Sequence, residues 1–306
     1  MAGKRKKNGR ISRGGRIALR AFAALLLALA CAFGAAALNA GVLRVRRAEV
    51  ELRDLPAAFD GATILYASDI DLFGMNAAAK AEQLFEQLQS LRPDMLLLGG
   101  DYTSPPLTEL LRSPDGKAQS AAQRQAARAD FFRYIGAFDA PLGKYAVAAP
   151  EDGDWDALRR QMAQAGIQPL FNDRVAVRRG DDALWIVGVS EEVASLNAAG
   201  SSFSQDDCVL VAAYSPTLLP LLLTSEAQDS GAWVDLALTG HTHGGQIRLF
   251  GRTALQLSRQ EQRYRYGWTV ENGLPILTTS GVGCEGANLR LGTEPEVWLI
   301  TLRKSE

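Results

Sequence analysis

Hydrophobic positions along this chain change period several times, and each change marks an element. Residues 21–43 form an apolar run without a single charge. Shorter continuous runs at 64–67, 95–98, 145–149, 209–213 and 234–238 are bounded by Gly, Asp or Pro, the signature of strands covered on both faces. Between them the spacing turns helical. A helix is predicted from a cap at Asn76, with Leu84, Leu88 and Leu91 on one face and Pro93 as its stop. A second runs to about residue 135 and ends at Gly136, and a third is capped by Asp154, buries Trp155, Leu158 and Met162, and closes at Gly166. Strand, helix and strand over 64–98 make a right-handed parallel unit. Beyond residue 173 the pattern is β-rich, adding strands at 174–178, 184–189, 247–250, 275–279 and 296–302. Residues 105–120 and 190–207 read as polar loops. Nothing resembles a repeat or a linker, so residues 48–306 are expected to form one α/β domain.

The apolar run is 23 residues, about 34 Å as a helix, enough to cross a bilayer. Eight basic and no acidic residues precede it in 1–20, against Arg44, Arg46 and Arg47 after it. That imbalance predicts a cytoplasmic tail at 1–20, a transmembrane helix at 21–43 and an extracytoplasmic domain. Two other readings exist. Ala35-Ala36-Ala37 would serve as a signal-peptidase site, although the run is longer than a usual signal core. The basic cluster alone would serve as a nuclear-localisation or nucleic-acid patch. Removing residues 1–20 leaves 25 basic against 34 acidic residues, and that acidic body excludes nucleic acid as a partner. The three cysteines, Cys31, Cys208 and Cys284, offer no C-x-x-C pair and no disulfide framework.

The candidate chemistry stands where the predicted strands end, the place ligands occupy in open α/β sheets. The strand at 64–67 is followed by Ser68-Asp69-Ile70-Asp71, that at 95–98 by Gly99-Gly100-Asp101, and that at 145–149 by Pro150-Glu151-Asp152. The strand at 209–213 runs into Tyr214. The one at 234–238 leads into Gly240-His241-Thr242-His243-Gly244-Gly245-Gln246, which holds both histidines of the chain. Carboxylates suit hard divalent cations, and imidazoles extend the choice to Mn, Fe or Zn.

At these residues the chain resembles the calcineurin-like metallophosphoesterases, most of all a membrane-anchored subgroup that includes lipid-A-precursor (UDP-diacylglucosamine) pyrophosphatases. The likeness covers roughly residues 50–302 and also takes in Phe59-Asp60-Gly61, Pro93-Asp94, Gly143 to Val147, Val234-Asp235-Leu236, Gly281-Val282-Gly283, Arg290 and Pro295-Glu296. It implies a four-layer α/β/β/α sandwich around two metals about 3.5–4 Å apart. Carried over, Asp69 and His243 would bind the first metal, Asp101 would bridge, and His241 would bind the second.

Three departures alter that expectation. Asp71 stands where the family has histidine, Pro150-Glu151 replaces an asparagine and a histidine, and Tyr214 replaces a further histidine. The sequence therefore points to metal ligands Asp69, Asp71, Asp101, His241 and His243, with one divalent ion (Mn, Mg, Fe or Zn) favoured over two. Glu151 and His241 are the candidate catalytic groups, Glu151 as a general acid if burial raises its pKa, and Arg290 is a candidate phosphate contact. The expected function is hydrolysis of a phosphomonoester, phosphodiester or pyrophosphate, on a phosphorylated small molecule or lipid beside the bilayer. An inactive protein that binds a phosphorylated envelope ligand is the alternative, and a vestigial site on an interaction domain a third.

Overall fold

Alternation inside the apolar runs decides the layering. In β2 (Thr63–Ala67), Ile64 and Tyr66 enter one core while Leu65 and Ala67 enter another. β3 (Met95–Leu98) divides the same way, with Met95 and Leu97 against Leu96 and Leu98. In β8 (Val209–Ala213), Leu210 and Ala212 share the first core, whereas Val209, Val211 and Ala213 join a third. A strand apolar on both faces needs cover on both. Two sheets packed face to face, each with helices outside, meet that need.

The structure is a computed structural model and describes residues 13–72, 77–104, 117–190, 200–253 and 257–305. The first sheet has β1 (Arg44–Leu52), β14 (Glu296–Lys304), β2, β3, β4 (Lys144–Ala146) and β5 (Gln168–Pro169), side by side in that order. The second runs β12 (Gly267–Glu271), β13 (Leu274–Thr278), β9 (Leu236–Thr239), β8, β7 (Asp182–Val189) and β6 (Asp173–Arg179). Strands β2 to β5 are parallel, as are β13, β9, β8 and β7. Helices α2 (Ala77–Gln89), α3 (Lys117–Gly136) and α4 (Trp155–Gln164) cover the outer face of the first sheet through Leu84, Leu88, Phe131, Ile135, Leu158 and Met162. Short helices α5 (Leu219–Leu222) and α6 (Arg259–Arg263) lie on the second. This is the expected α/β/β/α sandwich.

The differences have local causes. Residues 147–149 leave the sheet ladder, because Pro150 starts a 3-10 turn (Pro150–Asp152) and has no amide hydrogen to pair. The run at 247–250 breaks into β10 (Arg248–Leu249) and β11 (Arg252–Thr253), a hairpin with Phe250 and Gly251 at its turn. Residues 117–120 of the expected loop already belong to α3. The Asn76 cap, the rest of that loop, most of the basic tail and positions 191–199 lie outside the described residues. Asp154 does cap α4, its side chain accepting from Ala157 N at 3.0 Å.

Before the domain stands α1 (Arg13–Ala40), one helix long and apolar enough to cross a membrane. At 28 residues it is about 42 Å long. Ala36 is its one buried residue. The helix ends three residues short of the predicted span, where Gly41 N turns back onto Leu38 O. Its last turns are docked. Arg290 N donates to Ala36 O (3.0 Å), and Asn39 Nδ2 donates to Thr293 O (2.6 Å) and Arg290 O (3.3 Å).

Candidate metal centre

The loops after β2, β3, β9 and β13 meet at one end of the sandwich and are tied together by backbone hydrogen bonds. Asp69 N donates to Gly100 O, Asp71 N to Asp101 O, and Gly283 N to Asp69 O, at 3.0, 3.1 and 2.7 Å. His241 N donates to Asp69 Oδ1 at 2.8 Å. Every candidate ligand sits at positive φ: Asp69 at 52°, Asp71 at 47°, Asp101 at 56°, His241 at 73° and His243 at 49°. Left-handed backbone costs about 1–3 kcal/mol at each such residue and persists only where the surroundings enforce it. Its concentration here turns Asp69, Asp71, Asp101 and His243 inward from three loops and leaves His241 at their mouth. Gly281 (φ 73°) shows how tight the cradle is, since a Cβ there would lie 2.6 Å from Asp69 Cβ.

Ligand atoms of Asp69, Asp101 and His243 all lie within 4.8 Å of one another. Asp71 borders that set, its Oδ2 3.3 Å from His243 Nε2 with both side chains almost fully buried. That gap is longer than the 2.7–2.9 Å or so of a charge-assisted hydrogen bond. It suits two donors flanking one ion.

Three acidic side chains in a dry place need an explanation. At an effective dielectric of about 20, two carboxylate charges under 5 Å apart repel by about 3 kcal/mol or more. Burial pushes Asp69 up to about 6, despite the amide of His241. Burial and the neighbouring Asp69 hold Asp71 well above the ordinary carboxylate range. Burial, then Asp71 and Asp152, do the same to Asp101. His243 moves the other way, held well below 6.5 by burial and by Arg290, which keeps the ring neutral as a metal ligand requires. Among the described residues Asp69 Oδ2 and both oxygens of Asp71 make no well-formed hydrogen bond, with only the hydroxyls of Ser68 and Ser104 as side-chain donors acting on Asp69 and Asp71. Buried oxygens are ordinarily satisfied, and a divalent cation satisfies these. Oxygen donors with an imidazole fit Mg, Mn, Fe or Zn.

The other predicted residues fall differently. His241 stands outside the three-residue set, at the mouth, with its side chain 31% exposed. Its Nε2 lies 3.3 Å from Glu261 Oε1, and the Tyr214 ring meets it edge-on at 5.8 Å. Glu261 is not among the residues that the sequence singles out for the site. The spacing Ser258-x-x-Glu261 was a legible signal, a capping box that opens α6.

Glu151 is exposed, so the burial that a general acid there would need is absent. Asp152 is buried and committed to backbone. Its oxygens accept from Asp101 N, Tyr102 N and Ala149 N, which fixes the loop carrying Asp101. Arg290 is not a phosphate contact. It is fully buried, and its guanidinium donates to the carbonyls of Ser280 (2.6 Å), Gly281 (3.2 Å) and Gly283 (2.5 Å). Its Nη2 also lies 3.4 Å from His243 Nδ1. Arg290 therefore holds the loop after β13 and the His243 ring in register. Among the described residues the carbonyls of Ser280 and Gly283 have no donor but Arg290, while Gly281 O also accepts from Glu296 N at 2.9 Å, and sequence spacing does not show that need for a buried cation.

Beside the centre, a cavity of about 130 Å³ opens between the end of α1, α2 and the loop at 282–284. Ala40, Leu43, Leu72, Leu84 and Val282 wall it, and Asp71 and Lys80 add polar groups.

The chain is similar to proteins named as metallophosphoesterases. It is 26% identical over 270 residues to an uncharacterized metallophosphoesterase of Aquifex aeolicus (strain VF5), covering 85% of this chain and 92% of that one. It is 28% identical over 213 residues to phosphodiesterase YaeI of Escherichia coli (strain K12), covering 69% and 71%. It is 22% identical over 274 residues to a transmembrane protein with metallophosphoesterase domain of Danio rerio, covering 84% of this chain and 56% of that protein. No protein-family profile matches the chain. These likenesses to proteins named as metallophosphoesterases and a phosphodiesterase support a phosphoesterase function.

Proposed function

We propose that this chain is a membrane-anchored, metal-dependent phosphoesterase with one firmly held divalent ion, acting on a phosphoester presented at the outer face of the bilayer. The observation that carries this reading is the inward set of Asp69, Asp71, Asp101 and His243, all held at positive φ, in which Asp69 Oδ2 and both oxygens of Asp71 make no well-formed hydrogen bond among the described residues. Those four residues would hold the cation, with Asp101 nearest the opening. When bound, such an ion supplies an activated water and polarises a phosphoryl oxygen.

The chain's own contribution is orientation and proton handling. Arg290 fixes the His243 ring and Asp152 fixes the Asp101 loop. His241 at the mouth, steadied by Glu261, is the residue placed to exchange a proton with the reacting phosphate or leaving group. The anchor docks on the same loop that carries Arg290, and the apolar cavity beside Asp71 adjoins the anchor's end. Both features favour a lipid-linked phosphate over a soluble nucleotide.

Pro150 and exposed Glu151 favour a second reading, a protein that binds metal and a phosphorylated ligand without turnover. The full chain in detergent, assayed for metal content and for hydrolysis of a generic phosphodiester, separates the two. Bound metal with turnover, both lost in Asp101→Ala, supports the enzyme. Bound metal without turnover selects the binding protein, and absence of metal overturns both.

A further inference from the structure

The hairpin β10–β11 is placed and coloured unlike the rest of the surface. Phe250 is 96% exposed and Leu249 57% exposed, side by side at its tip. Phe250 also sits at φ 50° and Gly251 at φ 78°, both central residues of the turn in the left-handed region. A two-residue hairpin turn of that kind ordinarily takes Asn, Asp or Gly first. A bulky aromatic there is strained and gains no cover from the described residues, which points to a use outside the domain.

The hairpin's neighbours indicate where. Arg248 N donates to Leu291 O (2.7 Å), Leu291 N to Gln246 O (3.1 Å) and Thr293 Oγ1 to Gln246 O (2.8 Å). The strip at 290–293 that receives the hairpin is the one hydrogen-bonded to Ala36 and Asn39 at the end of α1. A single segment thus separates the exposed tip from the point where the apolar helix ends. Arg248 and Arg252 flank the tip, with Arg265 close enough to lower its own pKa through Arg248 after burial. Among the described residues none of the three arginines has an ion-pair partner. An apolar point flanked by arginines that lack an ion pair among the described residues matches a lipid interface, with acyl chains below and phosphates above.

We propose that the β10–β11 hairpin is a second membrane contact, with Leu249 and Phe250 entering the interfacial layer of the bilayer that α1 crosses and Arg248 and Arg252 meeting lipid phosphates. The idea rests on the anchor reading given above. It also has a consequence for the centre. The hairpin follows directly on the turn 240–246, so two contacts, α1 and the tip, would fix the height of the metal centre above the lipid.

The test uses the full chain with Cys31→Ser, reconstituted into phosphatidylglycerol–phosphatidylcholine vesicles that carry a nitroxide just below the headgroups. An environment-sensitive fluorophore is placed at Phe250→Cys, with Leu249→Cys as a second site. The control is Lys304→Cys, at the far end of β14 from Glu296 and about 27 Å away by strand rise. Vesicle flotation is read on the same samples. Co-flotation with severalfold stronger quenching at 249 or 250 than at 304 supports the contact. Co-flotation with quenching no greater than at 304 overturns it while leaving the anchor intact. Failure to float removes the anchor reading and this inference together.

Discussion

Asp71 is 3% exposed, faces His243 Nε2, and makes no well-formed hydrogen bond through either oxygen among the described residues. Without a cation its charge opposes folding, so Asp71→Asn is expected to raise the stability of the chelator-treated protein by about 1 kcal/mol. The same change should weaken metal binding. Urea midpoints in chelator, paired with metal titration calorimetry, check both halves, and a midpoint that falls in chelator would contradict the reading. The pH response follows from the same groups. Asp69, pushed up to about 6, has a folded pKa above its unfolded value, as do Asp71 and Asp101. Groups shifted this way contribute stability that is present at low pH and lost as pH rises through the folded pKa. Asp152, also held up at about 6 by burial, adds the same sign. His243, held below 6.5, opposes them, contributing stability that is lost as pH falls through its folded value. The carboxylates outnumber the single imidazole. The metal-free unfolding temperature should therefore fall as pH rises through about 6, and saturating Mn²⁺ should restore it at pH 7–8 with little effect at pH 5. Thermal scans across pH 5–8, with and without metal, measure this.

Loops rather than strands set the centre's precision, and Arg290 is the staple among them. Arg290→Met strands the carbonyls of Ser280 and Gly283 in a fully buried site, while Gly281 O keeps the amide of Glu296. The expected loss is roughly 3 kcal/mol or more, since each stranded buried acceptor costs about 1–3 kcal/mol. Arg290→Lys should recover part of the stability, but less of the metal affinity, because one ammonium cannot span the same carbonyls. Denaturant unfolding and metal titration of the two variants decide it. At this scale the sequence was readable where period spoke plainly. Strands β2, β3, β7 and β8 were legible from unbroken apolar runs, and their ends delivered Asp69, Asp71 and Asp101. What escaped were elements too short to establish a period, such as β5 and β11, and β12, which was folded into an aromatic and charged stretch with no clean alternation. Arg290 and Glu151 were misassigned for one shared reason. Both depend on burial, and neighbours in sequence do not reveal which side of a loop faces inward.

Orientation of the whole molecule is expected to follow from the imbalance of basic residues on the two sides of α1. Arg44 and Arg46 stand just after α1 and would oppose an outward domain if they stayed free. In the folded chain Arg44 pairs with Glu294, and Arg46 with Glu294 and Glu296, at 3.2, 2.8 and 3.4 Å. Eight basic residues in 1–20 outnumber Arg44, Arg46 and Arg47 even while those are free, and positive charge is retained on the cytoplasmic side. The expected topology therefore places residues 44–306 outside. An N-terminal tag should survive protease added to spheroplasts while the domain is cut away, and inside-out vesicles should show the reverse. Arg44 and Arg46 pair only after the domain folds, however, whereas the helix is oriented during insertion. Glu294→Gln should for that reason leave topology unchanged and lower only folded-state stability, by less than about 1 kcal/mol for such half-exposed pairs. If that variant inverted the protein instead, the neutralisation would be acting before folding, and the orientation would depend on the acidic residues near the C-terminus rather than on the basic tail.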